Sequence, residues 1–203
     1  MKNIRINKKI TLNRQSGVSL PELVIVFFVI AILVVLALPQ LISSRRALRF
    51  SGMQRQIVSS LREARQEAMS QRTAITFRYD DADKKIVVYG GSFGALGNTK
   101  NRLVTMAGEG LLPGEVIYGR PAGAPVSALA DSANMTSLSA NAVEIKFQAD
   151  GSVVDASDVP INKALFFYNS KNPSETAFTV SVLGAGGRAK VWRYSRGVNA
   201  YVE

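Results

Sequence analysis

Glu22 is a carboxylate at the mouth of a long apolar run, and Gly17 stands five residues before it at the end of a basic leader. A carboxylate there opposes membrane insertion by about 2–3 kcal/mol, and intramembrane acids usually mark a charged partner. Few other side chains offer chemistry. The 203 residues contain no cysteine and no histidine. That excludes tetrahedral zinc sites, haem and iron–sulfur ligation, thiolate nucleophiles, and Ser–His or Cys–His couples. Disulfides cannot form, so cysteine usage is silent on the redox compartment. No general base of suitable setting stands out among the Ser, Asp and Lys residues, and the chain reads as a non-enzyme that needs no cofactor and no metal.

Net charge is +10, and residues 1–17 supply +5 of it through Lys2, Arg5, Lys8, Lys9 and Arg14, with no acid among them. From Val18 to Leu38 the chain reads VSLPELVIVFFVIAILVVLAL, with no polar residue after Glu22. Twenty-one helical residues at about 1.5 Å each give roughly 31 Å, the hydrocarbon thickness of a bilayer. A basic segment ahead of such a run keeps its N-terminus in the cytoplasm by the positive-inside rule. A disordered nucleic-acid-binding arm would not need the apolar run. An ordinary secretory signal has a shorter core, about 7–15 residues, and small residues at its cleavage site. Here bulky Val34, Val35, Leu36 and Leu38 lead directly to Pro39.

This N-terminus, with its basic leader, Gly17, Val18-Ser19-Leu20-Pro21, Glu22 and long apolar helix, resembles the class III signal of type IV pilins and pseudopilins. The resemblance implies that a prepilin peptidase cuts between Gly17 and Val18 and that the new amine of Val18 is N-methylated. It implies that Glu22 pairs with the N-terminal amine of a neighbouring subunit and that Pro39 is the helix-kinking proline near the end of the span. Val18 stands where the family usually has Phe. Pro21 suits a first helical turn, where its missing N–H would be unpaired anyway.

Past the span, Phe50, Met53, Ile57, Leu61, Ala64 and Ala68 recur at three- and four-residue steps, one apolar stripe on a helix to about residue 72 that should lie against a sheet. Arg45, Arg49, Arg55, Arg62, Arg65 and Arg72 take the remaining surface, with Glu63 and Glu67 as partners at helical spacing. From Thr73 the period becomes two. Ile75, Phe77 and Tyr79 begin a hairpin that turns at Asp80-Asp81-Ala82-Asp83 and returns through Lys84 to Tyr89. The acids lack the alternating ligands and closing Glu of a calcium loop and read as a turn. Gly90 to Asn101 is a Gly-rich loop without the context of a phosphate-binding motif. Short strands are expected at Leu103–Met106 and Glu115–Tyr118, then a long loop from Arg120 to Asn141. Further strands are expected at Val143–Phe147, Lys163–Tyr168, Thr176–Leu183 and Ala189–Tyr194, with a tight turn at Asp150-Gly151.

Phe147-Gln148-Ala149-Asp150-Gly151, and Val180 to Gly184 running into Gly187-Arg188 and Val191, are similar to the C-terminal pattern of GspH/FimT-type minor pseudopilins. The expectation is therefore an α+β, type IV pilin-like fold. A long N-terminal helix, half membrane-embedded and half amphipathic, packs on an antiparallel β-sheet head. The divisions are a cytoplasmic leader 1–17, a transmembrane helix 18–38, an amphipathic helix 39–72 and a periplasmic domain 73–203. The implied role is structural, in a type II secretion pseudopilus or a type IV pilus. Its partners would be the prepilin peptidase, other pilin or pseudopilin subunits, inner-membrane lipid and a secretion or pilus assembly platform. An alternative is DNA capture for uptake, since Gly187-Arg188-Ala189-Lys190 resembles the Gly-Arg-x-Arg pattern of FimT-like pilins. Arg193 and Arg196 follow, and Trp192, Tyr194 and Tyr201 could stack on bases. The plain reading of the same residues is a solvated edge strand.

Overall fold

A computed structural model describes residues 18–90, 102–105, 111 and 113–203, with the side chains of residues 39, 102–105 and 113 left aside. The leader 1–17 with Gly17, the Gly-rich segment 91–101 and Met106 lie outside the described residues. The chain divides into two units, one ending at Ser43 and one running from Ser44 to Glu203. Helix α1, Leu20–Gln71, contributes to both.

In the first unit the apolar stretch is left unburied among the described residues. Its most apolar window has a mean hydropathy of 3.0 and is 0% buried. The side chains from Leu23 to Leu38 therefore need a solvent other than water. The helix passes through Pro39, which cannot supply the N–H that would bond to the carbonyl of Val35. Four residues on, the Ser43 hydroxyl donates to the Gln40 carbonyl at 2.9 Å.

In the second unit the expected stripe is the buried one. Phe50, Met53, Ile57, Leu61, Ala64 and Ala68 are each at most 2% exposed. Burial of a Phe, Met, Ile or Leu contributes about 1.5–3 kcal/mol, which holds this part of α1 in place more firmly than helix propensity could. The surface pairing is different from expectation at Glu67, which accepts from the Gln71 amide at 2.7 Å.

The strands form two sheets where a single sheet was expected. The first is built from β1 (Ile75–Asp80), β2 (Lys85–Gly90), β3 (Arg102–Thr105), β6 (Ala142–Phe147) and β7 (Val153–Val154), in the order β3-β2-β1-β6-β7. The hairpin has the register expected of its alternation: Phe77 faces Val88 on one side and Ile145 on the other. Its turn is tied by the Asp80 carboxylate, which accepts from the backbone N–H of Ala82 at 3.0 Å and of Asp83 at 3.3 Å. Inward-facing Ile75, Phe77 and Tyr79 join the core, while the outer face carries Arg78 bonded to Glu144 at 2.8 Å.

The second sheet contains β4 (Val116–Tyr118), β8 (Lys163–Asn169), β9 (Phe178–Val182), β10 (Ala189–Ser195) and β11 (Ala200–Val202), in the order β11-β10-β9-β8-β4. The two-residue β5 (Asn134–Met135) adds to β8 in parallel. A short helix α2, Pro173–Thr176, links β8 to β9. Leu165, Phe167, Phe178, Val180 and Val182 share one core with α1 and the first sheet. Tyr79 and Tyr118 stack within it at 5.7 Å, and Phe50 meets Phe178 edge-on at 5.3 Å. The opposite face packs Ala164, Phe166 and Trp192 against Leu129 and Ala133. The segment expected as a long loop is thus a cover for that face. The Ser181 hydroxyl donates to the Asp131 carboxylate, and the Asn162 amide donates to the Asp131 carbonyl at 3.1 Å.

Candidate functional site

The N-terminal candidate is assembled by helix initiation. Ser19 precedes α1 and its carbonyl accepts the Leu23 N–H at 3.2 Å, the first bond of the helix. Leu20, Pro21 and Glu22 then occupy the first three helical positions. Pro21 wastes no hydrogen bond there. Glu22 sits where a carboxylate interacts favourably with the helix macrodipole. Ser19 and Glu22 also have the S-x-x-E spacing of a capping box, a feature missed on reading the sequence although its signal is local and complete. Among the described residues Val18 is 67% exposed and Glu22 is also exposed. Pro39 lies inside α1, well separated along the chain from both, and Gly17 is outside the described residues.

The second candidate lies at the start of β10. Gly187 has φ +57°, and a Cβ on it would run into the Gly151 carbonyl and come within 3.0 Å of Arg65 Nε. Gly151, at φ +82°, leaves 3.1 Å between its own missing Cβ and the same Nε. Two glycines from separate stretches of sequence thus give Arg65 a passage that side chains would close. Arg188 follows, exposed. Arg188 and Lys190 line one open cleft with Arg62, Arg65, Gln66 and Met69 of α1 and with Glu203. Arg62 and Arg65 were not singled out for this site, because some 120 residues separate them from Arg188.

The electrostatics are mixed. Lys190 Nζ lies 3.1 Å from a Glu203 carboxylate oxygen and 5.5 Å from the Trp192 ring centroid. Of the aromatic residues expected for base stacking, Trp192 is withdrawn, while Tyr194 and Tyr201 stay half-exposed with ring centroids 5.5 Å apart. Trp192 is only 6% exposed and its indole N–H donates to the Ser181 hydroxyl at 2.8 Å. Tyr201 packs edge-on to Phe166 at 5.1 Å, and burial pushes its phenol up to about 12. The Tyr194 hydroxyl is bonded to Asn199 at 2.8 Å. Nor is β10 simply an edge strand: it pairs with β9 along Ala189–Arg193 and with β11 at Arg193–Ser195. Arg193 points away from this cleft and lines a smaller one with Phe50, Gln54 and Phe178.

Residues 12–38 match the family model of the prokaryotic N-terminal methylation motif. No curated protein and no solved structure matched the chain. The motif supports the pilin and pseudopilin class, with processing by a prepilin peptidase, assembly with other pilins and single-pass anchoring through the apolar helix. The layout, a long N-terminal apolar helix followed by antiparallel sheets, is α+β and consistent with a type IV pilin-like fold.

Proposed function

We propose that the chain is a minor pseudopilin or pilin of the GspH/FimT kind, a structural subunit of a type II secretion pseudopilus or a type IV pilus. In this reading the leader 1–17 stays cytoplasmic and is cut after Gly17. Val18 becomes a methylated N-terminus, residues 18–38 span the inner membrane, 39–72 continue the helix, and the β-rich domain 73–203 is periplasmic. The assembly platform then passes the subunit into a fibre held by helix packing. The observation that carries the reading is an exposed carboxylate in the first turn of an apolar helix whose most apolar window is left unburied among the described residues.

The energetics give Glu22 its role. In hydrocarbon, each Leu, Ile, Val or Phe near the centre of the span favours insertion by about 0.3–0.6 kcal/mol, so the run tolerates one carboxylate costing about 2–3. Pairing that carboxylate with the terminal amine of a neighbour removes two penalties at once. It also sets a register in a bundle that is otherwise uniformly greasy. The test separates pairing from capping, because Gln serves at the third position of a capping box as Glu does. Glu22→Gln and Glu22→Ala should both reach the membrane fraction at the normal level, and both should be at least tenfold depleted from sheared fibres. Normal recovery of Glu22→Gln in fibres would reduce Glu22 to a helix cap.

DNA capture through Arg188 and Lys190 is the second reading, favoured by the addition of Arg62 and Arg65 to their cleft. It is the weaker one, since Lys190 is engaged by Glu203 and Trp192 is buried.

A further inference from the structure

β10 has a half-open edge. Arg188 accepts from the Leu183 N–H at 3.1 Å, and the Tyr194 N–H donates to Ala177 at 3.0 Å. Backbone groups alternate sides along an antiparallel strand, so residues 188, 190, 192 and 194 address β9 while Ala189 and Val191 address the opposite side. On that side β11 pairs only with Arg193, Tyr194 and Ser195. Among the described residues no strand reaches Ala189 or Val191. An exposed row of strand N–H and C=O groups is a template for another strand.

That edge borders a groove along α1. Two adjoining clefts share Arg62, Gln66 and Val191, one reaching Arg65, Arg188 and Lys190 and the other Arg55 and Val58. Five cations, Arg55, Arg62, Arg65, Arg188 and Lys190, face two acids, Glu63 and Glu203. Glu203, just past β11, shows what this groove accepts, with its carboxylate on Lys190. Arg65 Nε is buried there without a hydrogen-bond partner.

We propose that this edge and groove form a strand-addition site for an extended acidic segment of another protein chain. Such a segment continues the second sheet in line with β11, main chain to main chain at Ala189 and Val191. Its alternate side chains point to the α1 side, where carboxylates meet Arg62 and Arg65 and the methylenes of the same side chains lie along Val58, Met69 and Val191. At about 3.3 Å per residue the free edge accommodates four or five residues. Main-chain bonds give the affinity and alternate side chains the selectivity in recognition of this kind. A nucleic acid would use the cations alone and leave the strand edge idle. The proposal does not depend on the chain entering a fibre.

The test uses the full chain in detergent micelles and fluorescence polarisation of a fluorescein-labelled octapeptide alternating glutamate and valine. A second peptide carries N-methyl groups on two neighbouring central residues, which blocks both of its edges. The unmodified peptide should bind saturably, and the methylated one at least tenfold more weakly. Val191→Pro removes one outward N–H while leaving the β9 ladder intact. It should weaken binding at least tenfold, as should the Arg62→Glu, Arg188→Glu double variant. If Val191→Pro fails to fold by near-ultraviolet circular dichroism, the two peptides on the unaltered protein decide. Absence of saturable binding, or equal affinity for both peptides, overturns the proposal. So does a single-stranded oligonucleotide that binds tenfold more tightly than the peptide, which would assign the groove to nucleic acid.

Discussion

Glu22, Gly187 and Arg65 are the residues on which the two sites turn, and they differ in how far their roles can be read along the chain. Glu22 declares itself through neighbours within five positions: Gly17, Ser19, Pro21 and the apolar run are all adjacent in sequence. Gly187 declares only half of its role. Its motif partner Arg188 is visible beside it, but the reason for glycine is the carbonyl of Gly151 and the side chain of Arg65. Replacing it combines left-handed backbone strain, about 1–3 kcal/mol, with a collision against main chain that cannot rotate away. Gly187→Ala should therefore destabilise the head by about 2 kcal/mol or more, lowering its thermal midpoint by roughly 4–8 °C. An unchanged melting curve would show that this turn relaxes freely and that the passage for Arg65 is not constrained.

At the scale of elements, periodicity made α1 and the longer strands legible and left the rest obscure. The Phe50 to Ala68 stripe has the helical period and one buried face, and β1, β2, β6, β8, β9 and β10 have enough residues to alternate. β5, β7 and β11 have two or three residues each, too few for any period, and α2 is a single turn. The split into two sheets was hidden for another reason. β8 and β9 bury both faces, so their inward and outward residues are alike apolar or small, and no alternation reports which layer covers which face. The cover over Phe166 and Trp192 comes from an Ala- and Ser-rich segment whose only strand is β5.

The contact between the two sheets has a consequence in alkali. Tyr79 is held above its ordinary range by burial, then by the charge and hydrogen bond of Asp81, and Tyr118 by burial and the charge of Asp81. Tyr201 is raised to about 12 by burial, with Arg120 pulling the other way. A folded-state pKa above the unfolded value means that the stabilisation is whole below about pH 10 and is lost as pH climbs through the folded value. Tyr79, Tyr118 and Tyr201 should resist ionisation near pH 10 in an absorbance titration, then ionise together with loss of circular dichroism. Ionisation of these three phenols near pH 10 with the fold intact would contradict the packing of Tyr79 against Tyr118.

At the scale of the whole molecule, the chain carries an apolar helical window left unburied among the described residues, and a separate unit, Ser44–Glu203, with its own core. The basic cleft was invisible as a unit because it is tertiary: α1 supplies Arg62 and Arg65, the end of the chain supplies Arg188, Lys190 and Glu203, and only folding brings them together. The N-terminal signal, by contrast, works before the head has any bearing on it, which is why residue spacing alone carried it. If that signal turns an anchor into a polymerising helix, the N-terminus of the protein isolated from producing cells shows it most directly. Mass spectrometry of the mature chain should find a first residue of Val18, heavier by one methyl group, with residues 1–17 gone. A chain still beginning at Met1 in cells with an active prepilin peptidase would contradict the account and leave a simple membrane anchor.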